Sequence, residues 1–253
     1  MATRNQIAAI VLKNMQRALE TADRIRLLEE VRKYAAASGM VSDIPRYSRL
    51  RLTSAEKAWA AVLFMDMRDS TARAQEVGPR ATFVTMHALL PAMAFLVTDA
   101  GGYIVGFRGD GLFAAFGIDE HGANPVDRSK SDAVHEAAIC GQSMIEAVSD
   151  VVNPLLDRFS LPRGIRIGVG VDFGEIVITR IGLDEAHEVT AYGDAVNMAS
   201  KLSDKADGSV VISPICSDLY PSGPYGQVRL ESLYSSPPGL AVVFPAPMLG
   251  GES

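Results

Sequence analysis

A chain of 253 residues, 48% hydrophobic and 21% charged, can bury a large core as one sizeable domain with an extension or as two small domains. Its formal net charge of -6 argues against a broad nucleic-acid surface, which is normally basic, but leaves room for a triphosphate neutralised by metal ions on carboxylates. No uninterrupted apolar run is long enough to span a bilayer, and the opening residues lack the basic, apolar and small-residue order of a secretory signal. A soluble cytoplasmic protein with no membrane partner is therefore expected. Cys140 and Cys216 lie far apart with no metal-ligand spacing, and buried reduced thiols are expected.

Taken in chain order, residues 5–36 place Ile7, Val11, Met15, Leu19, Ala22, Ile25, Leu28 and Val31 at helical spacing. Such a helix either packs on its own domain or mediates dimerisation. Residues 38–48, with Gly39 and Pro45, read as a connector, which divides the chain into an N-terminal helical extension, 1–50, and a second domain, 51–253. The run AAVLFM at 60–65 suits a buried strand. A helix is expected over 79–100, ended by Gly101-Gly102. Residues 103–107 and 112–116 flank Arg108-Gly109-Asp110-Gly111 as a hairpin. Helical periodicity runs over 131–159, and 165–171 with 175–181 read as a second hairpin around Phe173-Gly174. A helix is expected from Asp194, with that residue as N-cap. A strand at 210–213 and a Pro- and Gly-rich tail complete the chain. This order implies an α+β sheet with helices packed over one face.

Four segments carry chemistry. Phe64-Met65-Asp66-Met67-Arg68-Asp69-Ser70-Thr71 and Gly109-Asp110-Gly111 each place an acid where a strand ends. A carboxylate there costs folding energy unless it meets a cation or hydrogen-bond donors, and either acid taken alone also suits a turn or cap. Two such acids on neighbouring strands can hold two metal ions, one promoting deprotonation of an attacking hydroxyl and one neutralising phosphates. The third segment is Arg166–Glu175 (RIGVGVDFGE). The fourth runs from Ala191 to Leu202, where Asn197 and Lys201 stand four apart on one helix face. That face is either solvated or in contact with a ribose and a phosphate.

In this order and at these separations, the four segments resemble the catalytic domain of class III adenylate and guanylate cyclases, over residues 58–245. The resemblance implies a ferredoxin-like class III cyclase sheet, a head-to-tail homodimer, and active sites at the dimer interface. It implies Asp66 and Asp110 as metal ligands, the Met67 carbonyl as a further ligand, and two Mg²⁺ or Mn²⁺ ions per site. Arg68, Asp69, Ser70 and Thr71 would belong to the phosphate cradle, and Asn197 would orient the ribose. Lys201 stands where the family usually has an arginine; it keeps the charge but loses the planar fork of donors. One subunit would supply the aspartates and the other Asn197 and Lys201.

Adenylate cyclases carry a lysine four residues before the second metal aspartate and an aspartate three residues before the glycine of the helix motif. Guanylate cyclases carry a glutamate and typically a cysteine. Here those base-contacting positions are Gly106 and Thr190, so neither purine code is present. Tyr103, Phe107 and Arg108 either fill the space of a purine's second ring or are ordinary strand residues. The combination is most similar to bacterial pyrimidine cyclases of anti-phage defence. That similarity implies cyclic UMP or cyclic CMP as product, with UTP the expected substrate because uridylate cyclases are the commoner in that group, and a separate effector that the cyclic nucleotide activates. The Thr190 hydroxyl could serve uracil's N3–H or cytosine's N3 equally. Two other readings stay open: an adenylate or guanylate cyclase with an atypical base pocket, and a nucleotide-binding regulatory domain without turnover. The four histidines are scattered and receive no role; Asp172 and Glu175 read as hydrogen-bonding acids.

Overall fold

Thirteen residues, Ala55–Met67, buried on both faces at 60–63, form the central strand β1 of a computed structural model that describes residues 2–23, 39–118, 127–220, 228–233, 235–245 and 248–249. Before it come helix α1 (Arg4–Asp23), a 3₁₀ turn (Val41–Asp43) and the one-turn helix α2 (Pro45–Ser48). After it come α3 (Ser70–Asp99), β2 (Tyr103–Arg108), β3 (Gly111–Phe116), α4 (Asp127–Ala147), a π-helical turn (Val148–Val152) and α5 (Asn153–Arg158). Next are β4 (Ile167–Leu183), β5 (Ala186–Tyr192), α6 (Asp194–Ser203), β6 (Val210–Ile212), α7 (Pro214–Leu219), β7 (Arg229–Leu233) and β8 (Gly239–Val243).

The strands order as β2-β3-β1-β4-β6-β8-β7, with β5 hairpinned onto β4. The chain order β1–α3–β2–β3–α4–β4 with the antiparallel sheet order β2-β3-β1-β4 is the ferredoxin-like arrangement expected. Strand β6 then joins β4 in parallel.

Side chains of β1 leave on alternate faces and seed two cores. Ala61, Leu63 and Met65 pack with Leu89 and Met93 of α3, Val134 and Met144 of α4, and Ile7, Val11 and Met15 of α1. The described part of the N-terminal helix therefore packs on its own chain; Ile25, Leu28 and Val31 lie outside the described residues. Ala60 and Val62 face the other way, with Ile176, Ile178, Ala195 and Ala199. Helices over one face thus describes α1, α3 and α4, whereas α6 lies on the opposite face. Its seat is cut by glycine: a Cβ on Gly170 would stand 2.1 Å from the Ala199 carbonyl oxygen, and one on Gly168 2.3 Å from that of Ala206.

Several boundaries differ from expectation. The hairpin expected around Phe173-Gly174 is one unbroken strand of 17 residues, because β1 pairs with it from Ala55↔Thr179 to Met67↔Ile167. Phe173 there stacks on Trp59, with ring centroids 5.8 Å apart. The true reversal lies beyond Leu183 and leads into β5, which sequence reading left out. Helix α3 starts nine residues before the expected Pro79; Gly78, at φ 78°, lets two helical segments meet across a kink. Half of its most apolar 18-residue window is buried, so a helix long and apolar enough to span a membrane serves here in the core. Pro154 cannot donate the next helical bond, and the π-helical turn just before it absorbs the mismatch. Strands β7 and β8 pair in the tail despite its proline and glycine. Both cysteines are buried free thiols.

Candidate active site

Strand pairing brings the two acids together. Met65 pairs with Leu112, so Asp66 at the end of β1 lies beside Gly111 at the start of β3, directly after Asp110 in the turn. The approach is close enough to require glycine: a Cβ on Gly111 would lie 2.4 Å from the Met65 carbonyl oxygen and 3.2 Å from Asp66 Oδ1. Gly109, at φ 62°, supplies the left-handed residue of the turn. Burial, then the charge of Asp110, holds the Asp66 carboxyl above its ordinary range, while Arg68 pulls it back. Asp110 Oδ2 is buried without a hydrogen-bond partner among the described residues. Two adjoining carboxylates, one with an orphaned oxygen, are a donor set that demands a cation.

Arg68 currently answers that demand. Its Nη2 donates to Asp66 Oδ2 at 2.6 Å, and its Nη1 donates to the Asp204 carbonyl at 3.2 Å. Asp69 adopts φ 56° at the N-cap of α3, yet its side chain does not cap the helix. Its carboxylate instead accepts from Arg166 Nη2 at 2.8 Å. Ser70 and Thr71 open α3 with no side-chain cap in front of them, leaving first-turn amides available to an anion.

Asn197 and Lys201 lie on the exposed side of α6, opposite the buried Ala195, Ala199 and Leu202. Neither side chain has a hydrogen-bond or ion-pair partner among the described residues. Both point away from their own sheet. The N-cap of α6 is Gly193, with Asp194 as the first helical residue, contrary to the expected Asp194 cap.

The two base-contacting positions converge. Gly106 sits at a bulge in β2, and Thr190 on β5 is fully buried. Arg108 bridges them: Nη2 donates to Thr190 Oγ1 at 2.8 Å, and its Nη1 stands 3.5 Å from where a Cβ on Gly106 would be. The guanidinium lies over the Phe113 ring, 5.2 Å from its centroid. Tyr103 packs in the core beneath, while Phe107 is exposed. Sequence reading missed Arg166, Asp204 and Glu188. Arg166 opens the third motif, but its ion pairs, the Glu188 contact and the Asp204 carbonyl's bond to Arg68 depend on neighbours in the fold that no spacing reveals.

An opening of about 460 Å³ lined by Leu50, Arg51, Arg180 and His187 lies at the far end of β1 from the acids. It is separate from the candidate site. Asp172 is buried and accepts from Ser213, and Glu175 pairs with Lys57, as expected of structural acids.

The family described as the adenylate and guanylate cyclase catalytic domain matches residues 52–220. The chain belongs to that family. A uridylate cyclase from Rhodovulum sp. (strain MB263) is 29% identical over 155 residues, covering 59% of this chain and 59% of that protein. An adenylate cyclase from Anabaena cylindrica is 29% identical over 141 residues, covering 56% of this chain and 26% of the relative. A cytidylate cyclase from Escherichia coli is 28% identical over 189 residues, covering 71% and 40%. The chain thus spans between about a quarter and three fifths of the length of these relatives. Among solved structures, the adenylyl cyclase CyaB from P. aeruginosa superposes with a TM-score of 0.64 at 21% identity, covering 78% of this chain and all of that one. The guanylyl cyclase Cya2 gives 0.62 at 22% identity, covering 75% and 93%. These likenesses establish the fold.

As a member of that family, the chain carries the class III cyclase catalytic-domain fold. Asp66 and Asp110 suit a divalent cation by their like charge and the orphaned oxygen.

Proposed function

We propose that this cyclase is a pyrimidine cyclase, converting UTP or CTP to the 3′,5′-cyclic monophosphate and pyrophosphate in a head-to-tail homodimer. The observation that carries it is the base pocket: Gly106 offers no side chain, Thr190 offers only a hydroxyl, and the Arg108 guanidinium occupies the space between them. A second ring has little room there, and neither purine's hydrogen-bonding edge finds the pair of side chains that reads it. A site whose polar groups do not match a base discriminates strongly against it. The similarity to uridylate and cytidylate cyclases supports the same reading.

Asp66, Asp110 and the Met67 carbonyl would hold two Mg²⁺ or Mn²⁺ ions, which supply a lowered pKa for the ribose 3′-hydroxyl and charge neutralisation at the phosphates. The first-turn amides of Ser70 and Thr71 would receive the phosphates, with Arg68 moving from Asp66 to the same charge. Asn197 of the second subunit would hold the ribose so that its 3′-oxygen faces the α-phosphorus in line. Lys201 would stabilise the charge that develops as pyrophosphate leaves. The outward aim of both residues supports their acting in the partner's site. The cyclic nucleotide would serve as messenger to a separate effector in anti-phage defence.

The test is incubation of the purified protein with each of the four ribonucleoside triphosphates and Mn²⁺, followed by mass spectrometry. A cyclic pyrimidine nucleotide as main product supports the proposal. A cyclic purine as main product rejects it, while no pyrophosphate from any triphosphate favours the regulatory reading.

A further inference from the structure

Arg108 is held as a side chain poised to read a base. Its ring-stacked position is fixed from below, because Phe113 stacks in turn on Phe64 with centroids 4.9 Å apart. Thr190 accepts from one edge at 2.8 Å, and Glu188 lies 3.6 Å from the same nitrogen. Glu188 and Thr190 are two apart on β5 and so share a side of that strand. The Arg108 side chain is still 44% exposed, and its Nη1 has only a 3.5 Å contact to the Phe107 carbonyl, so part of its donor set remains accessible.

We infer that Arg108 is the specificity-determining residue of the base pocket and selects uracil, which makes UTP the preferred substrate over CTP. The inference rests on the pyrimidine-cyclase reading above. A guanidinium has five N–H donors and no acceptor, so it favours a carbonyl oxygen and opposes an amine. Thr190 Oγ1 accepts from Arg108 and keeps a lone pair for one further donor. Uracil presents that complement: an O4 acceptor for Arg108 beside an N3–H donor for Thr190. Cytosine sets its 4-amino group against the guanidinium, donor against donor, whereas the Thr190 hydroxyl can serve its N3 by donating, so the discrimination falls on Arg108. Guanine offers the same acceptor and donor pair as uracil on a larger ring, but the volume over Gly106 that it needs is filled by the guanidinium. Glu188, 3.6 Å from Nη2, adds a weak, solvent-screened attraction to the same group.

The experiment compares kcat/KM for UTP, CTP, GTP and ATP, with Mn²⁺, in the wild-type chain, Arg108→Ala and Arg108→Lys. Wild type is expected to favour UTP over CTP by about 30-fold, the discrimination that setting an amine against the guanidinium produces once substrate covers it. Arg108→Ala should bring that ratio below about threefold, mainly through a higher KM for UTP, and Arg108→Lys should restore part of it. If Arg108→Ala misfolds, Thr190→Val serves as the second variant and should narrow the same ratio. An Arg108→Ala enzyme that keeps the wild-type UTP to CTP ratio within twofold overturns the inference and leaves the pyrimidine reading intact. So does a wild type that prefers CTP. A wild type that yields only cyclic purines overturns both.

Discussion

Replacing Asp110 by asparagine should stabilise the metal-free protein while removing its response to metal. In the folded chain the Asp66 carboxyl is held high by burial and by the Asp110 charge, and Asp110 Oδ2 is buried without a partner among the described residues. Two like charges a few ångströms apart repel by about 3 kcal/mol at an effective dielectric constant of about 20. Asp66 is 37% exposed and Arg68 offsets part of its charge, which together reduce the figure to about 1 kcal/mol. For a domain of this size that is a rise of about 2–4 °C in Tm without metal. Wild type should gain about 2.7 kcal/mol at a Mn²⁺ concentration about 100 times its Kd, and the variant much less. Thermal melts of both proteins in chelator and in a Mn²⁺ series measure both quantities. A variant that melts several degrees lower without metal, or that shifts with Mn²⁺ as wild type does, would refute the electrostatic argument.

Mixing an Asp66→Ala chain with an Asn197→Ala chain should restore one working site per heterodimer; no recovery after verified subunit exchange counts against shared sites. Lys201→Ala should lower kcat by about 10²-fold or more, the cost of removing one stabiliser of developing charge, while Lys201→Arg should retain most activity; steady-state kinetics decide between them. Gly170→Ala drives a Cβ into the Ala199 carbonyl and should cost about 2 kcal/mol, lowering Tm by about 4–8 °C; an unchanged Tm would mean α6 is not seated on β4 as described. Burial first, eased by the Ser213 hydrogen bond, holds the Asp172 carboxyl above its ordinary 3.8. Because the folded state binds that proton more tightly, stability should fall as pH rises from 3.8 through the raised value. Asp172→Asn should flatten that slope in denaturant titrations.

Local chemistry marked the acids as candidates, and their reading as metal ligands came from the resemblance of the four segments taken together. Asp66 and Asp110 each follow an apolar strand run at a turn, and Asn197 and Lys201 declare a shared helix face by their spacing of four. The same logic places the β2–β3 hairpin, because Gly109 and Asp110 form a two-residue turn between alternating segments. What local pattern could not decide was length and pairing. Gly174 looks like a turn residue, yet the extended partner strand β1 carries β4 straight through it. Glycines 168 and 170 look like strand weaknesses, and only the approach of α6 to within a backbone's width explains them.

The charged groups around the site make the same division. That Asp66 needs a counter-charge follows from its place at a strand end, but that Arg68 supplies it follows only from side-chain reach in the fold. Gly106 and Thr190 are 84 positions apart and say only which purine contacts are missing. The bridge that Arg108 makes between them exists because β2 and β5 converge, and convergence of distant strands is a property of the whole sheet. Composition and spacing determine which groups a chain can offer, since they set local periodicity and ionisation. Which of those groups meet is decided by long-range packing, where each contact depends on all the strands between.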